Sequence, residues 1–505
     1  MAAAVLLVGC HDKQASTTRQ LTMESFASLQ EAGLSVSRMS IFEKIDSLVR
    51  NDSDDLTPDN RAKNHYRNRG ALLWIDRLGV DERADTVLAY LQTVNQFGFS
   101  PRRFGVEQIA QDLDRVRALD FSGRGGDINT VLARLEYLLT KGYLRYAAGQ
   151  RFGYLNPTYL LNHLDSVEPT HQDTLPHPVT YRCLFDVKMD HSDKAFFQMA
   201  LRRTRPDSLF TFLHSIQPQN KYYTALQQRW QERQATASQD ERIRMLCNME
   251  RFRWRQADSQ EKHGKYVMVN IPSYHLMAVE DGDTLWMRIG CGSLKTKTPQ
   301  LNSMVTRMDI NPKWFVPRSI IEKDILHRIS RSYFDNRNFY VLDRHTGKEV
   351  DLSQVTQSML RDPGYAVVQR GGKGNSLGRI IFRFDNNFSV YLHDTSSRDF
   401  FGRQDRGVSH GCVRVEKPFE LARFMLKEKD EALLEKIDYC MTSDSLEDKS
   451  KIVGSVKIEP QIPIYLAYYT LYPLGDKKGG PVWRVYPDVY GYDKVMYQFL
   501  TENYR

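Results

Sequence analysis

The chain has 505 residues, 41% hydrophobic and 26% charged, the composition of a soluble, folded protein of about two to four domains. Its 70 basic and 62 acidic residues leave a charge of +8, thinly spread, with no Lys/Arg run and no basic stripe interleaved with aromatics; no nucleic-acid partner is indicated. No apolar run reaches the roughly 18 residues of a membrane-spanning helix, and six cysteines without a CxxC indicate neither a disulfide framework nor a zinc ribbon.

The start, "MAAAVLLVGCHDKQ", carries a short apolar stretch from Ala2 to Val8 that ends at Gly9-Cys10. Small residues before a cysteine are similar to a bacterial lipoprotein signal, over residues 1–10, in which Cys10 would be lipidated. The run is short and no Lys or Arg precedes it, departures that a start site placed a few residues too late explains. Residues 11–38, rich in Ser, Thr and Gln, read as a linker. If Cys10 carries lipid, the five remaining cysteines leave at least one thiol unpaired.

From 39 to 255 the pattern is mostly helical. "LEYLLTKGYLRYAAG" has the apolar spacing of a core-facing helix through Leu135, Leu138, Leu139 and Leu144. "TALQQRWQERQATASQDERIRMLCNMERFRW" reads as two helices broken near Ser238 or Asp240, either of which can cap. The texture changes at Tyr266, where "KYVMVNIPSYHLMAVEDGDTLWMRIGCG" alternates and breaks at turn residues, predicting a strand, a bend and a hairpin. A helical and irregular stretch, about 318–376, then interrupts the strands and reads as an insertion on one edge of a β domain. "RIIFRFDNNFSVYLHD" predicts a second hairpin turning at Asp385-Asn386-Asn387, and "PIYLAYYTLYPL" and "GPVWRVYPDVYG" supply further strands.

One window concentrates chemistry. Alternation places Phe388, Val390 and Leu392 on one strand face and Ser389, Tyr391 and His393 on the other. The chain returns through "GVSHGCVRV", and Pro418 opens a helix behind it. Gly411 removes a side chain beside Cys412, so backbone amides there can approach a ligand. A neighbouring imidazole that takes the thiol proton would make Cys412 a strong nucleophile, and nearby N–H groups could receive an oxyanion. By residue type alone other readings stay open: a buried structural cysteine, a satisfied histidine, or a metal site in which His393, His410 and Cys412 lack a fourth ligand.

The segment "HDT…SHGCVRV" resembles the signature of the YkuD-type L,D-transpeptidases of bacterial cell walls: fifteen residues separate His393 from Ser409, and Arg414 fills the last place. The likeness extends over about residues 68–505, through "NQFGFSPRRF", "LLTKGYLRYAAGQRFGYLNP", "YVMVNIPSYHLMAVEDG" and "TPQLNSMVTRMDINPKWFVPRSI", and points to the large Gram-negative subgroup. The resemblance implies an α+β multidomain fold. A mostly helical N-terminal scaffold domain (39–255) precedes a mainly β catalytic domain (262–505) with an inserted helical capping subdomain at about 318–376. The small peptidoglycan-binding module of many relatives has no room between the two.

Carried over by residue, the resemblance makes Cys412 the nucleophile and His393 its general base, with the carbonyl of Asp394 holding the imidazole. His410 and Gly411 would support the site and the oxyanion, and Ser409 and Arg414 would shape the loop or touch the peptide. Trp314 and Tyr391 are candidate groove walls. The implied reaction is acyl transfer from a stem tetrapeptide to a diamino-acid amine of another stem, forming 3→3 peptidoglycan crosslinks, with inactivation by carbapenems. No metal and no organic cofactor are expected. Partners are peptidoglycan stem peptides and, through the lipid, a membrane of the periplasm or cell envelope. Two alternatives stand beside it: an L,D-carboxypeptidase using the same thioester, and a non-catalytic wall-binding scaffold.

Overall fold

The computed structural model describes residues 34–505, apart from 77–78, 122–124, 168–177, 427–429, 444 and 478–479. Cys10 and most of the expected linker lie outside the described residues.

The first half is helical: α1 (Arg38–Asn51), α2 (Thr57–Arg67), α3 (Glu82–Gln92), α4 (Val106–Ala118), α5 (Ile128–Phe152), α6 (Lys221–Arg233) and α7 (Gln239–Arg253), with shorter helices between. Asp127 caps α5 by accepting from Asn129 N and Thr130 N, and Ser238 caps α7 by accepting from Glu241 N. α5 is the hub, with Leu132, Leu135, Leu139 and Leu144 fully buried and α1–α4 packed around it. Two of its buried charged groups are paired. Glu136 accepts from Tyr66 Oη (2.8 Å) and Trp74 N (3.0 Å), and Arg145 meets Asp59 at 2.5 Å.

The second half is a curved sheet. Beside Phe185–Asp186 of the first half, which pairs parallel with Gln300–Leu301, its strands are β1 (Lys265–Asn270), β2 (His275–Glu280), β3 (Asp283–Gly292), β4 (Gln300–Ile310), β5 (Ile380–Phe384), β6 (Leu392–His393), β7 (Gly407–Ser409), β8 (Val413–Val415) and β9 (Ser455–Ala467). They run in the order β5-β6-β8-β3-β2-β1-β9-β4, and a β4–β5 pairing closes the circuit, while β7 pairs with β3. The inward residues, among them Val267, Ile289, Val305, Phe382 and Leu392, form one buried core. Helices α8 (Pro418–Met425) and α9 (Glu431–Thr442) follow β8, and α10 (Tyr492–Tyr504) ends the chain.

Two features depart from the sequence reading. The insertion is half sheet rather than helical: Trp314–Phe315, Tyr365–Gln369, Phe339–Asp343 and Glu349–Val350 form a four-stranded sheet with its own core around Phe334, Phe339, Val341 and Val367. "FYVLD" and "YAVVQ" are short β-branched and aromatic runs, which pair once the intervening turns bring them together. The tail also holds a helix that the strand reading did not foresee. α10 returns to the helical half, where Tyr504 packs against Phe99, Phe104 and Tyr154 and its carbonyl accepts from Ser100 N (2.8 Å). Asp493 of α10 meets Arg251 of α7 at 2.6 Å, both almost fully buried.

Candidate active site

β6 is only two residues long, yet it sets the geometry. It pairs antiparallel with β5 (Ile381↔His393) and parallel with β8 (Leu392↔Val413, His393↔Arg414). Val413 N donates to Tyr391 O (3.0 Å), so Cys412, just before β8, stands beside Tyr391. Side chains alternate along each strand, which sends Leu392 and Val413 into the core. Tyr391, His393, Cys412 and Arg414 share the opposite face. Strand spacing and rise then separate the Cα atoms of Cys412 and His393 by roughly 8 Å, a diagonal their side chains can close.

Expected strand alternation from Phe388 to His393 holds only at its end. Ser389 takes a positive φ of 55°, and the Asn386 side chain replaces the ladder by accepting from Phe388 N (3.0 Å) and Val390 N (3.1 Å) and donating to Val390 O (2.8 Å). This loop brings the Ser389 carbonyl to 3.8 Å from Cys412 Sγ.

His393 is 3% exposed, and its Nδ1 lies 2.5 Å from the carbonyl oxygen of Asp394. A carbonyl can only accept, so Nδ1 carries the proton and Nε2 keeps its lone pair. Burial pushes this imidazole down to about 4, the Arg414 charge adds to the effect, and the carbonyls of Asp394 and Leu377 oppose it. Asp394 is held in turn by Arg379 N (2.9 Å) and Arg398 Nη1 (3.2 Å). Residue 378 must be glycine here: its φ is +65°, and a Cβ would stand 2.4 Å from Asp394 Cγ.

Cys412 is partly exposed. Burial pushes its thiol up to about 11 against the opposing pull of the Tyr391 amide, the Arg414 charge and the Tyr391 hydroxyl. The resting pair is therefore a neutral thiol and a neutral imidazole, not the pre-formed ion pair that simple adjacency suggests. Arg414 lies behind both. Its guanidinium sits 5.7 Å from the Phe400 ring centroid, its buried Nε has no hydrogen-bond partner, and it meets no carboxylate among the described residues.

The remaining expected residues divide. Ser409 is buried and turned inward, donating to Cys412 O (2.6 Å) and accepting from Gly411 N (3.1 Å), so it ties the turn instead of facing a peptide. Gly411, at φ +121°, thereby spends its own N–H, which removes it as the expected oxyanion donor. The N–H groups of His410 and Cys412 make no hydrogen bond with any described residue. The His410 ring is exposed. Trp314 belongs to the small sheet of the insertion, packed against Phe339. Thr296 and Thr298, which hold the Ser409 and Gly411 carbonyls at 2.7 and 2.8 Å, had no sequence signal, because more than a hundred positions separate them from the motif. No cluster of three His, Cys, Asp or Glu side chains among the described residues could hold a metal ion.

Residues 264–444 match the family model of the L,D-transpeptidase catalytic domain, YkuD, and residues 60–229 match that of a scaffold domain. A Haemophilus influenzae protein, provisionally named an L,D-transpeptidase, is 31% identical over 231 residues, 45% of this chain and 44% of that protein; the match spans under half of this curated relative. Among solved structures, an L,D-transpeptidase from Mycobacterium smegmatis is 16% identical with a TM-score of 0.18, over 40% of this chain and 58% of that one. Mycobacterium tuberculosis L,D-transpeptidase 1 is 14% identical with a TM-score of 0.16, over 40% and 61%.

Proposed function

The chain belongs to the YkuD L,D-transpeptidases, with a scaffold domain ahead of the catalytic domain, and on that premise we propose that it forms 3→3 crosslinks in peptidoglycan by cysteine acyl transfer. One observation carries this reading: Cys412 and His393 share a face of adjacent strands, with the imidazole anchored through Nδ1 in the tautomer that leaves the lone pair on Nε2.

The donor is a stem tetrapeptide. As Cys412 Sγ attacks the carbonyl before the terminal D-alanine, His393 Nε2 accepts the thiol proton. The new oxyanion faces the His410 and Cys412 amides, the two N–H groups in the turn with no partner among the described residues. His393 gives its proton to the departing D-alanine amine, leaving a thioester on Cys412. The side-chain amine of another stem's diamino acid attacks that thioester, loses its proton to His393, and regenerates the thiol. Arg414 is the cation that favours the developing thiolate, and its unpaired guanidinium suits a carboxylate of the stem peptide. Lipidation at Cys10 and a place in the periplasm or cell envelope complete the reading, since the substrate polymer lies there.

The test is incubation of the purified protein and Cys412→Ala with tetrapeptide-rich peptidoglycan, followed by muropeptide analysis. New 3→3 dimers with the native protein alone are expected. Tripeptide monomers without dimers would make it an L,D-carboxypeptidase, and an unchanged profile would remove the enzymatic reading.

A further inference from the structure

A trans peptide group is planar, so its C=O and N–H point in opposite directions. The Ser409 carbonyl therefore aims the His410 N–H, and the Gly411 carbonyl aims that of Cys412. Both carbonyls are gripped by one loop. Ser293 N (3.1 Å) and Thr296 Oγ1 (2.7 Å) donate to Ser409 O, and Thr298 Oγ1 (2.8 Å) donates to Gly411 O. Thr298 Oγ1 is itself fixed by Gly292 N (2.8 Å), and Tyr490 Oη bridges Thr298 N (3.1 Å) and Gly292 O (2.7 Å).

The far side of this loop is held from the scaffold domain. Lys297 Nζ lies 2.6 Å from Asp165 Oδ1, with the lysine side chain 8% exposed. Arg182 Nη1 donates to Lys295 O (2.6 Å) and stands 3.9 Å from Asp165. Asp165 and Arg182 flank the paired segments Ser166–Val167 and Thr180–Tyr181, and Arg182 N donates to Asp165 O (2.8 Å). The Lys297 ammonium also lies 5.7 Å from the ring centroid of Tyr492, on α10.

We propose that Asp165 is a positioning residue for acyl transfer: through Lys297 and the 293–298 loop, the scaffold domain orients the two amides that receive the oxyanion. This rests on the functional reading above, which supplies the oxyanion. Removing Asp165 leaves Lys297 nearly buried without its carboxylate, so the loop shifts and the carbonyls it grips rotate with it. A displacement well under 1 Å suffices, because oxyanion donors act only at close range.

The test uses two reactions of the same thiol on the full chain. Acylation by a carbapenem needs oxyanion donors; alkylation by iodoacetamide forms no oxyanion and does not. Acylation is followed by intact mass and alkylation by peptide mapping at Cys412, because Cys183 is also an exposed thiol, both at about pH 9. Asp165→Asn is expected to slow acylation about tenfold, with alkylation within about twofold of wild type. Thr298→Val, which frees the Gly411 carbonyl directly, should slow acylation by about 10². Asp165→Glu should recover most of the rate. Acylation unchanged in Asp165→Asn, or acylation and alkylation falling together, would overturn the proposal. A wild-type protein that alkylates but never acylates would overturn the functional reading, and this inference with it.

Discussion

At the scale of single residues, the site is defined by what burial does to two ordinary groups. With the Cys412 thiol near 11, only about one molecule in ten thousand carries a thiolate at pH 7. Alkylation of free Cys412 by iodoacetamide should therefore rise about tenfold per pH unit from 7 to 10; a plateau near pH 7 would show an ion pair at rest. His393→Ala should slow acylation by 10² or more, the scale of a lost general base, measured by stopped-flow or intact mass. The same burial makes His393 a stability group. Its folded value, about 4, lies below its ordinary 6.5, so its contribution is whole above pH 6.5 and lost as pH falls through 4. Urea titrations from pH 7 to 4 should show native stability falling relative to His393→Gln, by on the order of 3 kcal/mol in total.

At the scale of elements, a two-residue strand is enough because its neighbours carry the order. β6 has β5 on one side and β8 on the other, and the Asn386 loop and the Gly378 approach fix its two ends. Gly378→Ala meets both a left-handed backbone and the Asp394 side chain. It should destabilise the protein by about 1–3 kcal/mol and slow acylation, because the Asp394 carbonyl that orients His393 would move. Thermal unfolding and the carbapenem rate measure the two effects separately. The small sheet of the insertion illustrates the reverse case. Its strands are too short to announce themselves, and they hold together by pairing and by the Phe334–Phe339–Val341–Val367 core.

At the scale of the whole molecule, the chain returns on itself. α10 closes the sequence inside the helical half, and the Arg251–Asp493 pair ties it to α7, with Thr470 and Asn248 joining the hydrogen-bonded cluster. Arg251 also lies 5.3 Å from the Tyr468 ring centroid. Asp493→Ala would leave a buried guanidinium unpaired, a loss of about 3–5 kcal/mol. A single unfolding transition at lower temperature is expected; an unchanged midpoint would mean that the pair carries no stability. Scaffold and catalytic domain share one continuous buried core, so the loop behind Cys412 and the scaffold segments that touch it are parts of one packed body.

The sequence by itself carried the α-then-β order, a helix break capped by Ser238 or Asp240, and the candidate group His393, Asp394, Ser409, Gly411, Cys412 and Arg414. Periodicity, capping and a contiguous motif are local, and local physics writes them into neighbouring residues. Only the tertiary structure decided which amides remain free, that Ser409 faces inward, that the imidazole stays neutral, and that Thr296, Thr298 and Asp165 stand behind the turn. Burial and hydrogen-bond commitment depend on what packs against a group, and the threonines that hold the Ser409 and Gly411 carbonyls come from more than a hundred positions away.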